Sequence, residues 1–317
     1  MRVLITGMSG FAGSHLADLL LKETHWRLIG MSRTTSGDRV HPRVFWWQID
    51  LQDQDAVRRF LKFERPDLIV HLAAQANVPE SWKAPWQTYE ANVRGTLNLF
   101  EGIIANGLLP RILIVSSNEV YGAPASREDL PFKEDRLMRP ANPYAVSKCS
   151  AELLALQYQR SHGFDVVVAR PFNHIGPRQN PRFVAADFAR QIAEIEAGKR
   201  EPVMHLGNMA AERDFTDVRD VARAYLALIK FADGGQVFNV CSGRPRSIQS
   251  LLDAMLALSS ARIEVRSDPA KFRLADTPVS YGDASHIREI AGWQPHIPFE
   301  QTIADILDEW RARVQQA

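Results

Sequence analysis

The sequence predicts an α/β fold, a doubly wound parallel sheet carrying a smaller α/β lobe. Three observations predict it. The chain opens with a short apolar run that passes directly into Gly7-Met-Ser-Gly10-Phe11-Ala12-Gly13 and then into a helical pattern. Further apolar, β-branched runs of strand length recur between helical stretches, among them residues 67–71, 111–115 and 165–169. Their apolar character is continuous rather than alternating, as expected of strands covered on both faces. Beyond residue 173 the strand–helix alternation becomes irregular, as when a second lobe is assembled from several excursions of the chain.

Residues 2–6 form the first expected strand and 14–22 the first helix. The glycines between them let backbone approach a pyrophosphate, and the helix N-terminus offers unpaired N–H groups and a positive dipole end. Their spacing is Gly-x-x-Gly-x-x-Gly, not Gly-x-Gly-x-x-Gly. Residues 26–30 read as the second strand. Just after it, an NAD site carries an acid for the ribose hydroxyls, whereas an arginine accommodates the 2′-phosphate of NADP. Here Met31-Ser32-Arg33-Thr34-Thr35 contains no acid, so Arg33 is assigned to the phosphate. NADP(H) is expected in preference to NAD(H). The third strand covers 44–49, with Asp50-Leu51 at its end, and the fourth covers 67–71. Small residues in Leu72-Ala73-Ala74-Gln75 permit close passage of a cofactor. His71 ends a buried strand and is read as a hydrogen-bonded core residue. One long helix is expected over 88–106, containing Asn92.

The strand 111–115 leads into Ser116-Ser117-Asn118-Glu119-Val120-Tyr121-Gly122. Its serines fall at a strand carboxyl end, where open α/β sheets place ligands. Tyr144 and Lys148 are four apart at the start of a helical pattern over 144–160, so they share a helix face. An ammonium beside a phenol favours phenolate, so Lys148 is expected to lower the Tyr144 pKa. A serine hydroxyl near the same substrate oxygen completes a proton-transfer set. Strand 165–169 then ends in Arg170-Pro-Phe-Asn173-His174-Ile-Gly-Pro-Arg178. Helix 183–197, strand 203–206, the segment 212–220 entering a helix, strand 237–240, and helices 248–258 and 303–314 follow. Residues 1–172, with returning segments at 212–243, are assigned to the cofactor domain, and 173–317 mainly to the substrate domain.

Composition narrows the function. With 317 residues the chain can bury a large core, and 45% apolar with 24% charged residues is ordinary for a globular protein. A net charge of +1 gives no reason to expect nucleic acid or an anionic membrane as partner. Cys149 and Cys241 are the only cysteines, which offers neither a disulfide framework nor a cysteine-rich metal site, so no metal is expected and a reducing cytoplasm fits. The apolar run at 3–5 is stopped at once by Thr6-Gly7 and does not read as a signal peptide. No stretch approaches the roughly eighteen apolar residues of a membrane span.

The Tyr-x-x-x-Lys helix, the serine-bearing strand end and the opening glycine loop together resemble the extended short-chain dehydrogenase/reductase superfamily, in its nucleotide-sugar-modifying branch. The resemblance spans essentially the whole chain. It implies a Rossmann-type sheet with a smaller substrate-binding domain. It also implies a cofactor held by Gly7, Gly10, Phe11, Ala12, Gly13, Arg33, Asp50, Leu51, Leu72, Ala73, Ala74, Tyr144 and Lys148, with Asp50 and Leu51 near adenine. Asn173, in Arg-Pro-Phe-Asn, and Arg213, in Arg-Asp-Phe-x-x-Val, match residues that meet a substrate diphosphate in this branch. Arg273-Leu-Ala-Asp276 resembles the Arg-Pro-x-Glu element of GDP-mannose dehydratases, without its proline. With Phe183-Val184 and Cys241-Ser-Gly, these motifs resemble those of GDP-4-dehydro-6-deoxy-D-mannose reductases, which form GDP-D-rhamnose. That likeness implies hydride transfer to the C4 ketone of a GDP-linked 4-keto-6-deoxy sugar. Tyr144 would be the general acid, Ser117 a hydrogen-bond partner of the same oxygen, and Lys148 a tuner of Tyr144 that also holds the nicotinamide ribose.

The alternative is a 4,6-dehydratase. In dTDP-glucose dehydratases the loop reads Thr-Asp-Glu-x-Tyr-Gly, and here Asn118 replaces the aspartate and cannot donate a proton as an acid does. Glu119 remains a candidate acid/base, as in GDP-mannose dehydratases. Epimerisation at C4 fits the flanking motifs less well. Helices 88–106 and 144–160 match those that build a four-helix interface in extended relatives, so a homodimer is expected.

Overall fold

The computed structural model describes residues 1–33, 41–268 and 277–316. Its centre is a seven-stranded sheet in which every pairing is parallel. In chain order the strands are β1 (Arg2–Thr6), β2 (Arg27–Ser32), β3 (Val44–Gln48), β4 (Leu68–His71), β5 (Arg111–Val115), β6 (Asp165–Pro171) and, after a long excursion, β10 (Val237–Val240). Their spatial order is β10-β6-β5-β4-β1-β2-β3. The crossovers are α1 (Phe11–Glu23), α2 (Gln54–Glu64), α3 (Val78–Lys83), α4 (Pro85–Tyr89), α5 (Gly95–Ala105) and α6 (Pro143–His162).

Successive strand residues face opposite sides, and both sides are covered, which is why the strands read as continuous apolar runs. Val3, Ile5, Val70 and Val167 enter one core with Leu16 and Leu20 of α1. Leu4, Ile69, Ile114 and Val168 enter the other with Phe60 of α2, Leu99 and Ile103 of α5, and Ala155 of α6. The strand β2 begins and ends slightly later than the sequence pattern suggests, at Arg27–Ser32 rather than 26–30.

The single helix expected over 88–106 is instead interrupted. A π-turn at Glu90–Arg94 separates α4 from α5. The extra residue of a π-turn displaces a side chain from the regular face, and such turns concentrate at functional places. Here it serves Asn92, 2% exposed, whose Oδ1 accepts from Gln75 N at 2.7 Å. The Asn92 Nδ2 donates to Gln75 O at 3.0 Å and to Ser147 Oγ of α6 at 2.8 Å.

The second part of the chain builds β7 (Asn173–Ile175), α7 (Val184–Glu196), β8 (Val203–Leu206), β9 (Glu212–Asp217), α8 (Val218–Phe231), β11 (Pro245–Ser247), α9 (Ile248–Leu256), β12 (Glu264–Ser267), β13 (Val279–Ser280), α10 (Ser285–Ala291) and α11 (Phe299–Gln316). β9 is paired by β7, β11 and β13, and β8 by β12. A third core fills the space between α7, α9, α11 and these small sheets, with Phe188, Ile192, Leu251, Ile306 and Phe215 among its members. Helix α8 packs instead against α1, over the large sheet.

Three buried acids along β9 and α8 organise the late segments. Asp214 accepts from the backbone N–H groups of Ser242, Gly243 and Gly282. Asp217 caps α8 through Arg219 N and accepts from Thr302 Oγ1 of α11 at 2.7 Å. Asp220 accepts from the N–H groups of His296 and Ile297. A fourth buried polar knot lies under α6. Arg170 of β6 forks onto Glu152 at 2.6, 3.1 and 3.2 Å, and also donates to Tyr121 Oη and Glu134 O.

Candidate active site

The glycine loop forms a close backbone cradle. Gly7 has φ +70, and a Cβ there would lie 2.9 Å from the Ala73 backbone at the end of β4. A Cβ on Gly13 would stand 2.4 Å from the Gly7 carbonyl oxygen. Gly10 is the N-cap of α1 and makes no side-chain cap, and the first turn contains no acid, so the helix N-terminus stays open to an anion. Phe11 starts that helix and stacks on His174 of β7, with ring centroids 5.7 Å apart and planes within 4°. Ala12 follows it, and Leu72, Ala73 and Ala74 run past the cradle after β4. Across the sheet edge, Arg33 directly follows β2 and is exposed. Asp50 is exposed, whereas Leu51 is buried beneath Gly95. Ser116 Oγ, buried at the end of β5, has no hydrogen-bond partner in the protein. A cradle that admits no Cβ, an uncapped helix terminus and an orphaned hydroxyl fit a dinucleotide.

Ser117, Tyr144 and Lys148 converge at the carboxyl end of β5. The Ser117 hydroxyl accepts from Glu119 N at 3.2 Å, capping a 3-10 turn over Asn118–Tyr121, and it lies beside the Tyr144 phenol. Lys148 donates its ammonium to the Val115 carbonyl. Burial pulls Lys148 down to about 8, opposed by the charge of Glu152 one turn further along α6. The phenol departs from expectation. Burial pushes Tyr144 up to about 12, the neighbouring Ser117 hydroxyl opposes this, and the nearby Glu119 charge adds to it. Desolvation outweighs the attraction to a cation that sequence spacing alone suggests, so Tyr144 is a firmly protonated donor at neutral pH.

Helix α6 is anchored at its start. Asn142 is its N-cap, with Oδ1 accepting from Ala145 N at 2.8 Å, and Pro143 is the first helical residue. Asn142 Nδ2 donates to Glu119 Oε2 at 2.9 Å. Asn118 donates instead to Ser280 Oγ of β13 at 3.2 Å. His71 is the buried, bonded residue its position suggests. Thr6 Oγ1 lies 2.8 Å from His71 Nδ1 and Thr96 Oγ1 lies 2.9 Å from His71 Nε2. Thr96 donates to Asn92 O, and Thr6 Oγ1 accepts from Ala73 N, which assigns the Nε2–H tautomer to the ring. Burial and the Lys148 charge depress His71 to about 3.

On the side of the smaller lobe, a cavity of about 160 Å³ is lined by Asn173, Val184 and Arg213 together with Phe188, Asn208 and Phe215. Three of the five expected substrate residues are thereby brought together. Arg213 donates to the carbonyls of Glu212 at 2.9 Å and Thr277 at 2.6 Å. Asn173 Oδ1 is buried without a protein partner. Arg273 and Asp276 lie outside the described residues. The pair Asn142-Pro143 was the available sign of the helix cap that a reading centred on Tyr144 and Lys148 passes over.

A family model described as GDP-mannose 4,6 dehydratase matches residues 4–306. A GDP-6-deoxy-D-mannose reductase of Pseudomonas aeruginosa is 38% identical over 316 residues, covering 99% of each chain. A GDP-mannose 4,6-dehydratase of Yersinia enterocolitica is 29% identical, covering 96% of this chain and 92% of its own. Among solved structures, RMD from Pseudomonas aeruginosa complexed with NADPH shares 37% identity at a TM-score of 0.87, covering 98% of this chain and 99% of that one. A Thermus thermophilus UDP-glucose 4-epimerase in complex with NAD shares 30% identity at a TM-score of 0.88, with the same coverage. The cradle, the Ser117–Tyr144–Lys148 cluster and these matches agree: the chain belongs to the nucleotide-sugar-modifying extended short-chain dehydrogenase/reductases, in the GDP-mannose 4,6 dehydratase family.

Proposed function

We propose that this protein reduces the C4 ketone of GDP-4-dehydro-6-deoxy-D-mannose to give GDP-D-rhamnose. The observation that carries this reading is the buried Tyr144 phenol beside Ser117 and Lys148 at the carboxyl end of β5, the sheet edge onto which the glycine cradle also opens. NADPH, when bound, supplies the hydride. Tyr144 gives its proton to the nascent alkoxide, and Ser117 hydrogen-bonds the same oxygen. Lys148, fixed by the Val115 carbonyl, holds the nicotinamide ribose and, once Tyr144 has given up its proton, stabilises the phenolate. Gly7, Gly10, Phe11, Ala12 and Gly13 hold the pyrophosphate, Leu72, Ala73 and Ala74 flank the cofactor, Asp50 and Leu51 meet adenine, and Arg33 selects the 2′-phosphate. NADP(H) is preferred and NAD(H) is the secondary cofactor, in line with the structural neighbours solved with NADPH and with NAD. Asn173, Val184 and Arg213, with Arg273 and Asp276, bind the GDP moiety and its diphosphate, for which arginine forks are suited.

The high identity to a reductase over the full chain, and Asn118 in place of an acid, favour reduction over dehydration. The protein acts as a cytoplasmic homodimer. Leu97 and Ile104 on α5, and Val146 and Leu153 on α6, are each seven residues apart and exposed, an apolar stripe suited to a twofold four-helix contact. No described helix is long and apolar enough to cross a membrane. The test of function is NADPH oxidation by the purified protein with the GDP-4-keto-6-deoxy sugar. Tyr144→Phe should lower turnover about a hundredfold or more. Release of a 4-keto sugar from GDP-mannose alone would replace the reductase reading with the dehydratase.

A further inference from the structure

We infer that Glu119 is a positioning residue: through Asn142 it locks the helix carrying Tyr144 to the loop carrying Ser117, and it performs no acid/base chemistry on the sugar. This rests on the reductase reading above. Three hydrogen bonds link the two segments around the reacting position. The Glu119 N–H donates to Ser117 Oγ at 3.2 Å, and the Glu119 carboxylate accepts from Asn142 Nδ2 at 2.9 Å. The Asn142 Oδ1 caps α6 at Ala145 N, the residue after Tyr144, at 2.8 Å. Tyr144 and Ser117, at the two ends of this chain of contacts, are thereby held beside each other.

Asn142 is fully used by this arrangement, with its oxygen on the helix and its amide on Glu119. Two further ties zip the same segments together. Arg139 N donates to Val120 O at 2.9 Å, and Gly122, at φ +67, lies so close to Arg139 that a Cβ would meet its carbonyl oxygen at 2.0 Å. The spacing between the proton donor and its hydroxyl partner is therefore set by the Glu119–Asn142 bridge rather than by the sheet alone. A carboxylate already engaged by an amide and half-buried in this frame is placed to hold rather than to react.

The bridge has an electrostatic consequence. The groups acting on the phenol are Ser117 and Glu119 from the loop after β5; Lys148 shares its helix, and the buried Tyr225 of α8 is itself pushed up by Tyr144. Of these, the Glu119 charge favours the protonated phenol, the form that a reductase needs before each turnover. One residue thus holds Tyr144 in place and adds to the burial that keeps its proton on.

The experiment measures kcat, KM and the pH profile of kcat for wild type, Glu119→Gln, Glu119→Ala, Asn142→Ser, the Glu119→Ala/Asn142→Ser double variant and Tyr144→Phe, with the GDP-4-keto-6-deoxy sugar and NADPH. Glutamine keeps an acceptor for Asn142 without the charge. Serine keeps the helix cap without the tether. Glu119→Ala and Asn142→Ser should each lower kcat about tenfold or more, the scale on which misplacement by an ångström acts, with KM changed less than about twofold. The double variant should be no slower than the slower single one. Glu119→Gln should lose only a few-fold, and the alkaline limb of its profile should move to lower pH. NADPH titration verifies that each variant is folded, and if Asn142→Ser is not, the contrast between glutamine and alanine at 119 carries the same information. Glu119→Gln as slow as Tyr144→Phe, multiplicative losses in the double variant, or an unmoved alkaline limb would each overturn the inference. Failure of wild type to oxidise NADPH with the keto sugar would instead defeat the reductase reading at the control.

Discussion

The pair Arg170–Glu152 permits a worked stability prediction. Its side chains are 5% and 0% exposed, and Arg170 makes three contacts with Glu152 as well as donating to Tyr121 and to the Glu134 carbonyl. Arg170→Met leaves the Glu152 carboxylate buried with no fork. Breaking a buried pair from one side costs about 3–5 kcal/mol. An unfolding entropy of roughly 2.1 cal/mol/K per residue gives about 0.7 kcal/mol/K over 317 residues, so a loss of about 4 kcal/mol lowers the melting temperature by about 6 °C. Removing the charge on both sides, in Arg170→Met/Glu152→Leu, abolishes the uncompensated carboxylate and should recover at least half of that loss. Tyr121 keeps its bond to Asn239 Oδ1 at 2.7 Å in either case. Differential scanning calorimetry at pH 7.5 on the three proteins is the assay. A single variant melting within about 2 °C of wild type, or a double variant melting at the sum of two independent losses, would refute the reasoning.

Arg33→Ala should weaken NADPH binding about ten- to hundredfold, the worth of a charge-assisted hydrogen bond, and leave NADH nearly untouched. Equal losses by fluorescence titration would exclude a phosphate contact. His71, held to about 3 in the fold against about 6.5 when unfolded, leaves the unfolded chain binding the extra proton. Stability is therefore complete above pH 6.5 and falls below it by about 1.4 kcal/mol per pH unit from this residue. In His71→Gln the melting temperature should decline less steeply between pH 6.5 and 5, and an unchanged slope would show that His71 is not the cause. Light scattering at micromolar concentration should return twice the chain mass, and Leu153→Glu in the exposed stripe of α6 should halve it. A monomer mass for wild type would reject the dimer.

Much of this architecture is legible in the chain because parallel strands buried on both faces leave an unmistakable apolar signature. Strands 2–6, 111–115 and 237–240 appear with the bounds their patterns suggest. The cradle is legible because only glycine tolerates the approach of Ala73 to Gly7. The break in the helix near Asn92 is not, since the partners Asn92 meets there, Gln75 and Ser147, lie in other segments of the chain. The Tyr144 phenol shows a second kind of blindness. Sequence spacing reveals the charges near a group but not how far water is excluded from it, and here exclusion decides the direction. Helix α2 was signalled by Asp53, which caps it through Ala56 N, yet its strongly charged sequence gives little to an eye following apolar runs.

The three acids at Asp214, Asp217 and Asp220 decide how this chain can be recombined. Each holds amides or hydroxyls from a different later segment, at 242–243 and 282, at 302, and at 296–297. A chimera with its crossover anywhere between 221 and 241 would take the acids from one parent and every one of those late partners from the other. A crossover just after β6 keeps acids and partners in one parent, but then the outermost strand β10 comes from the second parent and must pair in register with a β6 from the first. Specificity in this scaffold is thus transplanted at a single seam only when the Val237–Val168 to Val240–Pro171 edge is compatible between donors, together with the packing of α8 on α1 and the Tyr121–Asn239 bond.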